Sequence, residues 1–123
     1  MAERKVVFVA FAIEDERIRD LLKGQSLNTR CPFDYIDMSV KEAYESDWKQ
    51  KVETRIKRSD GLIALVSKNS LASAGQKWEI ECAHRNSTPV LGVWAYASDR
   101  TLLSGVRTIE WSWASITRFV DSL

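Results

Sequence analysis

Leu62-Ile-Ala-Leu-Val-Ser67, followed after a polar stretch by Trp78-Glu-Ile-Glu-Cys-Ala83, decides how this chain folds. The first stretch is an unbroken apolar run between Gly61 and Ser67. A run without alternation suits a strand buried on both faces, as in a parallel sheet. The second reads as a helix that carries an acid, Glu79, beside a large aromatic, Trp78. In an open α/β sheet, ligands bind outside the carboxyl ends of the strands. An acid entering such a crevice can meet a substrate.

Working outward, Val6–Ala10 is a second unbroken run, rich in β-branched residues. After it, Ile13 to Leu22 reads as a helix, with Ile18, Leu21 and Leu22 on one stripe and Gly24 as its stop. Phe33–Asp37 alternates apolar and acidic residues and reads as a second strand. Met38 to Glu45 reads as a loop. Ser46 is the expected N-cap, with Asp47 in the first turn, of a helix carrying Trp48, Val52 and Ile56 to about Arg58. Ser67–Gly75 reads as a polar loop and Gln76–Arg85 as the third helix. Pro89 opens a fourth strand over Val90–Tyr96, a position where no ladder donor is needed. Thr108–Trp111 reads as a short fifth strand. Ser112 or Ser115 caps a last helix that buries Ile116, Phe119 and Val120. Alternation of this kind forces right-handed crossovers and a sheet covered on both faces. The expected architecture is a flavodoxin-like α/β fold: a five-stranded parallel sheet in the order 2-1-3-4-5, forming one domain over residues 1–123.

At 123 residues the chain has the size of one domain. Eighteen basic residues oppose 17 acidic ones, so composition makes no case for nucleic acid or an anionic membrane surface. The longest apolar runs, Val6–Ile13 and Gly61–Val66, are too short to span a bilayer, and no signal peptide is recognisable. The chain therefore reads as intracellular and cytoplasmic. Cys31, Cys82 and His84 show no zinc-type spacing, so no metal site is expected and the cysteines read as free thiols. Cys82 and His84 fall on different faces of a helix. The five tryptophans read mostly as core or groove walls.

Phosphate-binding loops are the first chemistry to seek on such a fold. Val6–Ala10 leads into Phe11-Ala-Ile-Glu-Asp15, with no glycine, and the five glycines of the chain are scattered. A phosphoacceptor domain needs an Asp after the third strand, where this chain has Ser67. What remains is a carboxylate without a metal partner. Glu79 stands near the start of the third helix, whose dipole holds it ionised. Two readings stay open: a working carboxylate, or simply a good first-turn residue. Phe11 is either a stacking surface for a flat ring or ordinary core. A nicotinamide leaves the ribose of NAD+ without protonation, because it departs from a cationic ring. One carboxylate that stabilises the developing oxocarbenium can therefore suffice, whereas ordinary glycosidases use two.

These residues resemble the TIR family, and within it the bacterial TIR-like proteins of Thoeris anti-phage defence. Val7–Asp15 is similar to that family's first box, Ser59–Ser67 to its helix B to strand C segment, Lys77–Ala83 to the W-E-[IL]-x-x-A form of its third helix, and Pro89–Val93 to its strand D. The box serine is Ala10 here, and a W-x-x-x-E spacing is absent because Trp78 adjoins Glu79. In the W-x-x-x-E register Cys82 would hold the acid's place; the E-I-x-x-A pattern favours Glu79.

The resemblance implies an NAD+-consuming domain with NAD+ as substrate and no separate cofactor. Glu79 takes the catalytic role. Phe11 would contact nicotinamide or its ribose, and Trp78 would lie alongside. Ala10, Asp37, Ser39 and Trp48 complete the expected substrate contacts. Ser39 to Glu45 matches the BB loop, which governs assembly and pocket opening. Implied partners are a second copy through TIR contacts, a phage-derived trigger, and a separate effector reached through a cyclic ADP-ribose messenger. The rival expectation is a non-catalytic TIR–TIR docking module. Glu79→Gln is expected to abolish turnover and leave the fold intact, the site being near the surface.

Overall fold

Two β-branched, fully apolar runs form the centre of the sheet. The computed structural model describes residues 5–26, 33–36 and 48–123. β1 is Lys5–Phe11, β2 Phe33–Ile36, β3 Gly61–Val66, β4 Val90–Trp94 and β5 Thr108–Ile109. They pair in parallel in the order β2-β1-β3-β4-β5. Ala10 pairs with Ala64, and Ala64 with Gly92, across the middle of the sheet. The helices are α1 (Glu16–Ser26), α2 (Trp48–Lys57), α3 (Ala74–Arg85) and α4 (Trp113–Asp121). A parallel sheet between helices is the expected class.

Strand periodicity divides the core in two. Val7, Val9, Phe11, Ile63 and Leu65 point to one face, where Leu22 of α1 and Ile116 and Val120 of α4 cover them. Phe8, Ala10, Leu62, Ala64 and Val66 point to the other, under Val52 and Ile56 of α2 and Ile80 and Ala83 of α3. Each fully buried Leu, Ile or Phe contributes about 1.5–3 kcal/mol of transfer free energy. Asp60 ties the amino edge: its carboxylate accepts the Val6 N–H at 2.7 Å, and its own N–H donates to Val6 O at 2.7 Å.

Several boundaries differ from expectation. Ile13–Asp15 is a 3-10 turn, and α1 begins at Glu16 and runs through Gly24 to Ser26. A glycine inside a helix costs only about 1 kcal/mol relative to alanine, too little to stop one by itself. The expected Ser67–Gly75 loop holds a 3-10 turn at Lys68–Ala72, closed by a reciprocal capping box between Ser67 and Ser70. α3 then starts at Ala74, with Ser73 as N-cap accepting the Gln76 N–H. β4 ends at Trp94 and β5 at Ile109, both short of the expected ends. Of the two serines offered as the cap of α4, Ser112 serves. Ser46, Asp47 and the Ser39–Glu45 loop lie outside the described residues.

Candidate functional site

The earlier start of α3 changes what Glu79 is. With Ala74 as the first helical residue, Glu79 stands one and a half turns in, and the first turn holds no acid. The field of a helix terminus fades within its first turn. The dipole therefore contributes little at Glu79, and the reading of Glu79 as a first-turn acid is corrected with it. Nor is the residue near the surface, since it is only 2% exposed. Glu81, two residues on, is exposed and lies 3.9 Å from Arg85.

One turn before Glu79, Gln76 is fully buried and joins α3 to the sheet. Its Nε2 donates to Ala10 O at 3.1 Å and to Leu65 O at 2.8 Å. Two carbonyls can be served only by the amide nitrogen, so the orientation of the amide is fixed. Its Oε1 is buried and has no partner among the described residues. Gln76 thus clamps the carboxyl ends of β1 and β3 to the helix that carries Glu79.

Ala10 and Phe11 are neighbours on β1 and so face opposite ways. Ala10 lies on the α2–α3 face, with Ile80 and Cys82. Phe11 lies on the α1–α4 face, fully buried. The Arg19 guanidinium stands 4.8 Å from its ring centroid. The sheet therefore separates the Phe11 ring from the face that α3 covers. Trp78 is half-buried, with Lys49 Nζ 5.8 Å and the Arg85 guanidinium 5.6 Å from its ring centroid. Asp37 and Ser39, and the side chain of Trp48, lie outside the described residues. Cys82 is buried, and its thiol donates to Glu53 Oε2 at 3.8 Å. Burial, followed by the charge of Glu53, pushes this thiol above its ordinary value. His84 is exposed on another face.

The carboxyl edge holds a second buried acid that the sequence reading left unused. Asp15, fully buried, follows β1. Its Oδ2 accepts Ser67 Oγ–H at 2.5 Å. Its Oδ1 accepts from Asn69 Nδ2 at 2.9 Å and from Tyr96 O–H at 3.0 Å. One carboxyl therefore ties together the segments that follow β1, β3 and β4. Burial and then the Asp15 hydrogen bond raise the Tyr96 phenol above its ordinary value. The acidic pair after β1 and the serine after β3 were visible signals. Their partnership was not, because Tyr96 stands 81 residues from Asp15.

Three clefts open near these elements. The first, of about 470 Å³, is walled by Trp94, Tyr96 and Trp111. The second, of about 770 Å³, includes Lys68, Asn69, Tyr96 and Arg100. The third, of about 290 Å³, lies between α3 and Leu103–Val106. Glu79 lines none of these three. Among the described residues no three His, Cys, Asp or Glu side chains cluster as metal ligands.

The arrangement is a parallel sheet with an acid-bearing third helix clamped to its strand ends. The family that matches it, TIR domain, covers residues 7–118. The chain belongs to the TIR domain family. No curated protein matches it. Membership brings a general function, either NAD-related or protein interaction, and with it self-association between TIR domains. No described helix of this TIR domain is long and apolar enough to cross a membrane.

Proposed function

We propose that this TIR domain cleaves the nicotinamide–ribose bond of NAD+ and acts in antiviral defence of the Thoeris type, forming a cyclic ADP-ribose isomer as messenger. The observation that carries the reading is Glu79: a nearly buried acid (2% exposed) on a helix pinned by Gln76 to the ends of β1 and β3. A carboxylate held out of water acts on developing positive charge more strongly than one in solvent. As the C1′–N bond breaks, its electron pair passes to the pyridinium ring and leaves neutral nicotinamide. Glu79 stabilises the ribosyl cation that remains. An adenine or ribose atom of the same molecule closes on C1′ to give the cyclic product and a proton. Water closing instead gives ADP-ribose and a proton.

Ala10, Phe11 and Trp78, with Asp37, Ser39 and Trp48, are assigned to substrate contacts. Phe11 is fully buried beside Arg19, so nicotinamide can stack on its ring only after that face of the core opens. No cofactor is assigned, NAD+ being the substrate. The remaining proposed partners are a second copy of the domain, a phage-derived trigger and a separate effector that the messenger activates. The proposed location is the cytoplasm.

The second reading is a docking module without catalysis. It is favoured by the exposure of Ile13, Leu21, Leu71 and Leu102. The deciding experiment incubates concentrated protein with NAD+ and separates the products by mass. Glu79→Gln runs beside it, and the exposed Glu81→Gln serves as control. Nicotinamide release with a cyclic product, lost only in Glu79→Gln while that variant stays folded at the assay temperature, is expected. Equal turnover in Glu79→Gln removes Glu79 from the mechanism. No turnover in any variant, with or without infected-cell lysate, favours docking.

A further inference from the structure

Two of the clefts share a wall. Tyr96 and Arg100 line both. On one side of this ridge the lining is aromatic, with Trp94 and Trp111. On the other it is polar, with Lys68, Ser98 and Thr101. Both volumes, about 470 and about 770 Å³, lie within the usual range of small-molecule sites, about 300–1,000 Å³. Both clefts follow β4, at the carboxyl edge where parallel sheets receive ligands.

The ridge is built rather than incidental. The Tyr96 hydroxyl is fixed from behind by buried Asp15 at 3.0 Å, while the residue keeps 37% exposure. Trp94 is held by its indole N–H, which donates to Thr101 O at 2.8 Å. Arg100 lies over the Trp94 ring, 4.5 Å from its centroid. Two aromatic rings are thus held before any ligand arrives, so little ordering entropy remains to be lost on binding.

Charge distinguishes the two halves. Lys68 and Arg100 are the cations of the polar cleft, and Asp99 is its carboxylate. Asp99 is already engaged, by the Thr101 hydroxyl at 2.6 Å and N–H at 3.1 Å and by the Lys68 N–H at 2.8 Å. These bonds hold its carboxyl below the usual range, led by the Thr101 hydroxyl. Arg100 is paired with Glu110 at 3.0 Å, but Glu110 is 74% exposed. An exposed pair of this kind holds weakly, so a phosphate competes for the guanidinium.

We propose that the two clefts form one bipartite site for a nucleoside monophosphate. Its planar heteroaromatic ring stacks among Trp94, Tyr96 and Trp111. Its ribose hydroxyls cross the Tyr96–Arg100 ridge. Its phosphate meets Arg100 and Lys68. Of the described residues assigned to NAD+ cleavage, Ala10, Phe11, Trp78 and Glu79 line neither cleft, and the proposal does not depend on that reading.

The test uses the whole chain and adenosine 5′-monophosphate as probe, with adenosine and inorganic phosphate as half-ligands. Binding is followed by the indole N–H resonances of Trp94 and Trp111. The monophosphate is expected to bind about tenfold more tightly than adenosine, the difference made by charge-assisted hydrogen bonds to its phosphate. Arg100→Gln and Lys68→Gln should each remove most of that difference, and Lys68→Gln, at a residue that lines the polar cleft alone of the two, should leave adenosine unchanged. Glu79→Gln should leave all three ligands unchanged, which separates this site from the cleavage reading. Equal binding of monophosphate and adenosine overturns the proposal. So does an absence of shifts at Trp94 and Trp111, or loss of binding in Glu79→Gln.

Discussion

At the scale of single residues, the most constrained group is the Asp15 carboxyl. It accepts from Ser67, Asn69 and Tyr96, and it is fully buried. Asp15→Ala leaves three donors facing a cavity. An unmet buried donor costs about 1–3 kcal/mol, and Tyr96 and Asn69 can recover part of this by turning to solvent. The expected loss of stability is about 3 kcal/mol, read from the urea midpoint. Tyr96→Phe should cost about 1 kcal/mol, since it removes one bond and keeps the ring. Equal losses in the two variants would mean that Asp15 acts through Tyr96 alone. Glu79 teaches the complementary lesson. Its chemical type was readable, and so was its helix. Its depth was not, because the start of α3 depends on a serine-rich segment, Ser67–Ser73, that offers several caps. Ser67 caps the 3-10 turn and Ser73 caps α3, which moves Glu79 out of the first turn.

At the scale of elements, the central strands were legible because two-sided burial leaves an unbroken apolar run, as in Val6–Phe11 and Leu62–Val66. Edges were less legible. β5 has only two residues, Thr108 and Ile109, and is fixed by its neighbour rather than by its own pattern. Gly92 is where that neighbour makes room. A Cβ there would stand 2.5 Å from Thr108 Oγ1, 2.8 Å from Val106 Cγ1 and 3.1 Å from Arg107 O. The last is backbone, and it also accepts the Gly92 N–H at 2.8 Å. Gly92→Ala must therefore push β5 away from β4, at an expected cost of about 2 kcal/mol. Gly61→Ala is the comparison. Its Cβ would meet Leu123 Cδ1 at 2.8 Å and Phe119 Cε2 at 3.2 Å, the ends of side chains and not backbone. Its expected cost is below about 1 kcal/mol. Denaturation of the two variants should rank them in that order, and the reverse ranking would show that β5 yields more readily than the Leu123 and Phe119 side chains.

At the scale of the whole molecule, one sheet separates two cores. Ile56 belongs to the α2–α3 side and Ile116 to the α1–α4 side. Both are buried to within 1%. Ile→Val at either site removes one methylene and should cost about 1 kcal/mol. The two sites share no partner, so the double variant should lose the sum to within about 0.5 kcal/mol. The shared sheet makes a further demand. If it couples the two faces into one folding unit, each variant lowers the urea midpoint while the slope stays constant. A smaller slope in Ile116→Val would mean that the α1–α4 side opens before the rest. That outcome bears on the proposed cleavage, which assigns Phe11 a substrate contact, because Phe11 and Arg19 lie on that side. An α1–α4 face that loosens first would free the Phe11 ring without disturbing α3. A single transition would instead require that any movement of Arg19 be local, a turn of its side chain across the ring and nothing more.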